Sequence, residues 1–179
     1  MVISSLQKYP SLLKAAVFGA NDGLITTFAV VAGAAGAGLS ARVVVIMGIA
    51  NIAADALSMG LGDYLGEKSE RRMLKQNRQK INKEAAWSSG LVTFLGFMMA
   101  GFIPLLPFFG ELLGTPIPRE FEFPLSSLAT GLGLFVVGAS RSFVTGGSWL
   151  RNGFEMLGIG AIAAIVAYSS GSWIEGILQ

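Results

Sequence analysis

Asp22 and Asp55 lie inside stretches that otherwise read as membrane-crossing helices. These are Phe18-Gly-Ala-Asn-Asp-Gly-Leu-Ile-Thr-Thr-Phe28 and Ile49-Ala-Asn-Ile-Ala-Ala-Asp-Ala-Leu-Ser-Met-Gly60. A carboxylate in hydrocarbon costs roughly 2.5–3.5 kcal/mol on insertion scales, and it is kept where it faces a polar path, a cation or a partner charge. The pair therefore points to a chain that passes ions rather than to a passive membrane domain.

The second of these stretches carries more donors. Asn51, Asp55, Met59, Asp63 and Glu67 follow one another at intervals of four. Residues i and i+4 are neighbours on an α-helix and drift by about 40° per step. The five side chains make a slowly winding stripe of oxygen and sulfur donors, from mid-membrane to one helix end. Depth adds a constraint. Asp22 lies about 12 Å past Lys14 at 1.5 Å per residue, and Met59 lies equally far in from Glu67. In an antiparallel pair Asp22 and Met59 share a level, with Asp55 one turn deeper and Asp63 one turn shallower. A hard carboxylate beside a soft thioether suits a transition metal such as Fe²⁺. A Mg²⁺ or Ca²⁺ site has no need of sulfur. Asn21 is a further oxygen donor next to Asp22. Taken singly, each residue has an ordinary reading: an intramembrane Asp paired with Arg141, a packed Met59, a solvated helix end at Asp63 and Glu67. The combination carries the metal reading.

Five elements must position these groups. The chain has 179 residues, 53% hydrophobic and 13% charged, against about 25% charged in a soluble domain. Runs of about 20 apolar residues mark spans. The expected spans are Leu12–Gly36, Ala41–Leu65, Ala86–Phe109, Leu125–Gly146 and Phe154–Ile177. Residues 1–179 thus read as a single all-α membrane domain. Pro104 and Pro107 should kink or end the third span. Gly36 to Ser40 reads as a tight turn, making the first two spans a hairpin. Gly19-x-x-x-Gly23 is a small-xxx-small pattern that admits another helix beside Asp22. Gly60, Gly62 and Gly66 suggest similar latitude at the end of the second span. No repeat of 20–50 residues is evident, and the N-terminal apolar run does not read as a cleaved leader.

The connections set the expected orientation. The segment 67–84 carries seven basic residues, Lys68, Arg71, Arg72, Lys75, Arg78, Lys80 and Lys83, and falls on the same side as Lys8, Lys14 and Arg151. The opposite side carries Arg42, Arg119, Glu111, Glu120, Glu122 and Glu175. The positive-inside rule then makes the N-terminus and the basic segment cytoplasmic. Arg141 and Glu155 lie near the cytoplasmic ends of the last two spans. A structural ion pair is the simpler reading; the alternative makes Glu155 a cation or proton acceptor at the mouth.

The sequence contains neither Cys nor His. That removes disulfides, thiol catalysis, His-ligated haem and zinc, and the carboxylate–His di-iron sites of ferroxidases. Hydrolysis by Asp22 with Asp55 would lack a nucleophile pair or a water-activating metal set. No enzyme and no permanently bound cofactor is expected.

Three stretches resemble the vacuolar iron transporter family: residues 18–33, Ala53-Ala-Asp-Ala-Leu-Ser-Met-Gly-Leu-Gly-Asp-Tyr-Leu65, and Leu150-Arg-Asn-Gly-Phe-Glu-Met-Leu-Gly-Ile-Gly160. The resemblance implies a homodimer of five-helix subunits with a metal path at the interface. It implies Fe²⁺, with Mn²⁺ often accepted, leaving the cytoplasm in exchange for protons. It implies a membrane metal site at Asp22 and Met59, in accord with the depth argument. Asp63, Glu67 and Glu155 then serve metal ingress, with Asn21, Asn51 and Asp55 near the site. Transporters of this family that carry a long, Glu-rich cytoplasmic metal-binding domain place it between the second and third helices. Here that stretch is short and basic, as in the nodulin-like branch. A Mn²⁺-preferring or broad-specificity exporter is the nearest alternative, and a packing module without transport the more distant one. A prokaryotic cell membrane is the expected location, with a vacuolar or other organelle membrane the alternative.

Overall fold

The computed structural model describes residues 10–77, 86–110, 114–115, 117–145 and 147–178. The ordered elements are α1 (Pro10–Gly36), α2 (Ala41–Gln76), α3 (Ala86–Gly101), a 3-10 segment (Ile103–Gly110), α4 (Arg119–Ser140), a one-turn α5 (Ser142–Thr145) and α6 (Trp149–Leu178). Among the described residues there are no strands, and five segments are long and apolar enough to cross a membrane. In the bilayer only closed barrels or helices satisfy every backbone group, so hydropathy and helix formation coincide here.

The turn between α1 and α2 forms as expected. Gly38 has φ +65°. The Leu39 N–H donates to the Ala34 carbonyl at 2.9 Å and the Gly38 N–H to the Ala35 carbonyl at 3.1 Å. This is the Schellman pattern, in which a residue at positive φ lets the last carbonyls of a helix be capped.

Three spans differ at their boundaries from the sequence expectation. α2 does not stop near Leu65 but continues to Gln76, giving 36 residues, or about 54 Å at 1.5 Å per residue. The hydrocarbon core is about 30 Å, so the end bearing Lys68, Arg71, Arg72 and Lys75 projects beyond it. The rest of the basic segment, 78–84, lies outside the described residues. α4 begins at Arg119 rather than Leu125 and ends at Ser140 rather than Gly146. Glu120 and Glu122 occupy its first turn, where acidic groups suit the helix dipole. Pro124 sits close enough to that end to be tolerated. α6 starts at Trp149, five residues before Phe154. The third span behaves as its prolines dictate: the α-helix ends at Gly101 and a 3-10 segment with Pro104 and Pro107 buried carries the chain onward.

α1 is the hub. It packs most extensively on α3, then on α6, and less on α4 and α2; α2 rests mainly on α3, and α4 on α6. The first two spans are thus joined by a turn yet share a smaller interface than either shares with α3. Gly19 and Gly23 explain the α1–α3 closeness: a Cβ on either would fall on the Thr93 or Phe97 main chain. The main core unites Phe28, Val31, Val44, Ile52, Ala56, Phe97, Leu105 and Phe108, and Met59 packs against it. A second cluster joins Leu24, Ala100, Leu134 and Met156.

Candidate metal centre

The stripe on α2 is real as a surface. Asn51, Asp55, Met59, Asp63 and Glu67 are all half-buried, beside the buried Ile52, Ala56 and Gly60. One edge of the stripe thus touches the core while the other stays open. Asp22 is half-buried on α1, as Asp55 is on α2. Two different apolar spans thus each carry a carboxylate that is not fully buried in one chain. The Thr26 hydroxyl donates to the Asp22 main-chain carbonyl at 2.7 Å, leaving the carboxylate out of that bond.

Asn21 and Asn51 flank this pair. The Asn21 side-chain oxygen and the Asn51 side-chain nitrogen are buried without a hydrogen-bond partner. The Thr27 hydroxyl, fully buried, is also unpartnered. Buried polar atoms are nearly always satisfied, so unmet ones mark places for water, an ion or another partner. Thr27 was not singled out from sequence. Its only signal was a hydroxyl one residue beyond Thr26 in an apolar run.

Asp63 is held from α3. Ser89 Oγ donates to Asp63 Oδ2 at 2.6 Å and Thr93 Oγ1 donates to the same oxygen at 2.9 Å. Ser89 and Thr93, four residues apart on one face of α3, are further residues that sequence reasoning missed. Glu67 pairs with Arg71 one turn on, Nε to Oε2 at 3.4 Å. Asp63, Glu67 and Ser89 line a cavity of about 260 Å³ with Ser11, Lys14 and Phe18. Glu155 stands apart. It is exposed on α6 and lines neither this cavity nor the one beside Asn21.

Among the described residues, no three Asp or Glu side chains cluster closely enough to hold a metal by themselves. What one chain offers is two carboxylates, a thioether and two carboxamides within the apolar spans, with a third, hydroxyl-held carboxylate, Asp63, toward the end where α1 begins.

The family model for the VIT family matches residues 13–86 and 76–172. The two matches overlap at residues 76–86, the stretch between the end of α2 and the start of α3. The chain is similar to vacuolar iron transporter 1 of Arabidopsis thaliana, 29% identical over 210 aligned positions that cover 85% of this chain and 82% of the relative. It is similar to a vacuolar iron transporter of Toxoplasma gondii, 25% identical, covering 91% of this chain and 74% of the relative. Vacuolar iron transporter 1 of Eucalyptus grandis is 46% identical over 69 residues, covering 36% of this chain and 28% of the relative.

Proposed function

Because the chain belongs to the VIT family, we propose that it is an integral membrane transporter of divalent transition metal, not an enzyme. Its cargo is Fe²⁺, with Mn²⁺ as a second substrate, and it carries them out of the cytoplasm in exchange for protons. The observation that supports this reading is a half-buried carboxylate in each of two apolar spans, Asp22 on α1 and Asp55 on α2.

The metal site in this reading is Asp22 and Met59, with Asp55, Asn21 and Asn51 around it. The open oxygen of Asn21 is free to turn to the cargo or to its water. One chain supplies too few acids, and a two-fold axis doubles every donor. The resemblance to the family implies a homodimer with the metal path between copies, and that arrangement would supply the missing donors. Asp63 and Glu67 serve metal ingress, and Glu155 adds negative charge at the same end. An intramembrane acid is also a proton carrier, so Asp22 or Asp55 can exchange its metal for a proton.

Charge sets the orientation. Lys14, Arg71, Arg72, Lys75 and Arg151 lie at the end where α1 starts, and the positive-inside rule makes that end cytoplasmic. The surrounding membrane is a cell membrane if the host is prokaryotic, or an organelle membrane otherwise. Between Fe²⁺ and Mn²⁺ the thioether of Met59 favours the softer ion; a Mn²⁺-preferring exporter is the second reading.

Flux of Fe²⁺ and Mn²⁺ into proteoliposomes, with an internal pH dye, tests the proposal. Wild type should move metal with counterflow of protons, and Asp22→Asn should move neither. Metal flux without proton movement would replace exchange by facilitated diffusion. Normal flux in Asp22→Asn would remove Asp22 from the site.

A further inference from the structure

A second cavity, of about 350 Å³, opens on the other side of Lys14, and of its lining only Asn21 enters the reading above. Lys14 and Arg141 line it together with Asn21, Val17, Met156 and Ile159. The two cations arrive from distant parts of the chain. Lys14 is in the second turn of α1, and Arg141 directly follows Ser140, the end of α4. Both sit at the membrane end where α1 begins. Lys14 makes no ion pair among the described residues, although it also borders the cavity that holds Asp63 and Glu67.

The two ends of the cavity differ in character. Its rim is cationic. Its depth is mainly apolar: Met156 and Ile159 lie seven and ten residues into α6, about 10–15 Å from Trp149 along that helix at 1.5 Å per residue. A metal cation is repelled by the rim. A free anion would use the rim and leave the aliphatic wall idle. A molecule with a phosphate head and a hydrocarbon tail fills both. Basic pockets between spans commonly take such headgroups.

We propose that Lys14 and Arg141 hold the phosphate of an anionic phospholipid from the leaflet at the α1 N-terminal end, with its acyl chain against Val17, Met156 and Ile159. The occupant is a lipid of the surrounding membrane. The proposal does not depend on which ion is transported.

The test is native mass spectrometry of the full chain released from nanodiscs of equal phosphatidylglycerol and phosphatidylcholine. Wild type should retain phosphatidylglycerol in preference to phosphatidylcholine, and 10 mM inorganic phosphate (roughly this concentration suffices for a rim-only site) should not displace it. Lys14→Gln with Arg141→Gln should lower retention about tenfold or more, while Lys14→Arg with Arg141→Lys should keep it. The exposed Arg151 provides a control: Arg151→Gln should leave retention unchanged. Retention by the Gln pair equal to wild type, or equal retention of both lipids, would overturn the proposal. Displacement by inorganic phosphate would make it a free-anion site. Loss of the dimer in the Gln pair, with lipid retention unchanged, would mean that a second copy covers this face. Each readout is a mass, so an absence of transport leaves the lipid assignment standing.

Discussion

Ser89 Oγ, on α3, donates to Asp63 Oδ2, on α2, at 2.6 Å. The bond ties the candidate ingress acid to a helix that packs tightly on α1, and Thr93 reinforces it on the same oxygen. An acid held in this way keeps its position whether or not a cation is present. Asp63→Asn keeps an oxygen acceptor for both hydroxyls, so its thermal stability should stay near wild type. Interhelical hydrogen bonds in membranes average about 0.6 kcal/mol and reach about 1.7. Asp63→Leu, which removes both bonds, should therefore lose stability in that range or somewhat above it. Both substitutions should slow metal flux several-fold. Equal flux in Asp63→Asn and wild type would show that Asp63 serves packing alone.

Gly60 and Gly62 share α2 but face different surroundings. A Cβ on Gly60 would lie 2.9 Å from the Gly90 carbonyl oxygen and 2.9 Å from Phe94 Cβ, whereas one on Gly62 meets nothing within 4 Å. Overpacking of this kind costs about 1–3 kcal/mol. Gly60→Ala should lower the thermal midpoint measurably by tryptophan fluorescence, and Gly62→Ala should leave it unchanged or slightly higher, since Ala is the better helix former. Equal damage at both would show that the open face of α2 is covered by another copy of the chain.

The five spans were legible because each is an apolar run of membrane length, and the end of α3 was legible because proline cannot continue an α-helix. The continuation of α2 to Gln76 was not. Hydropathy falls away after Leu65, while Glu, Lys, Arg, Met and Leu from 65 to 76 keep good helix propensity. The early start of α4 was hidden because Arg119, Glu120 and Glu122 make its first turn polar, so the apolar run begins only at Leu125. Asp22 and Asp55 stood out as charges in apolar surroundings. The grip of Ser89 and Thr93 on Asp63 depends on which span lies beside which, and no local spacing encodes that. The Glu67–Arg71 pair, by contrast, is an i,i+4 contact that the sequence already carried.

Asp22 and Asp55 should respond unequally to neutralisation. If Asp22 binds the cargo directly and Asp55 acts through its field, Asp22→Asn removes flux altogether. Asp55→Asn should weaken metal binding about 10–100-fold, the range typical of groups that support a ligand without touching the metal. Isothermal titration with Fe²⁺ under anaerobic conditions, or with Mn²⁺ in air, reads the difference. Abolition by both substitutions would promote Asp55 to a ligand.

Asn51 offers the clearest separation of stability from function. Its side-chain nitrogen is buried and unpartnered, one turn from Asp55 along the stripe. Replacing an unsatisfied polar group by an apolar one of similar shape is close to neutral or stabilising. Asn51→Leu should therefore raise the thermal midpoint or leave it unchanged. If the carboxamide instead completes its bonds through cargo or through water in the metal path, the same substitution should lower flux about tenfold, the lower end of the range for a supporting group. Stability held with flux lost identifies Asn51 as part of the path. A loss of stability with flux per folded protein unchanged would make it a structural residue whose partner is another chain.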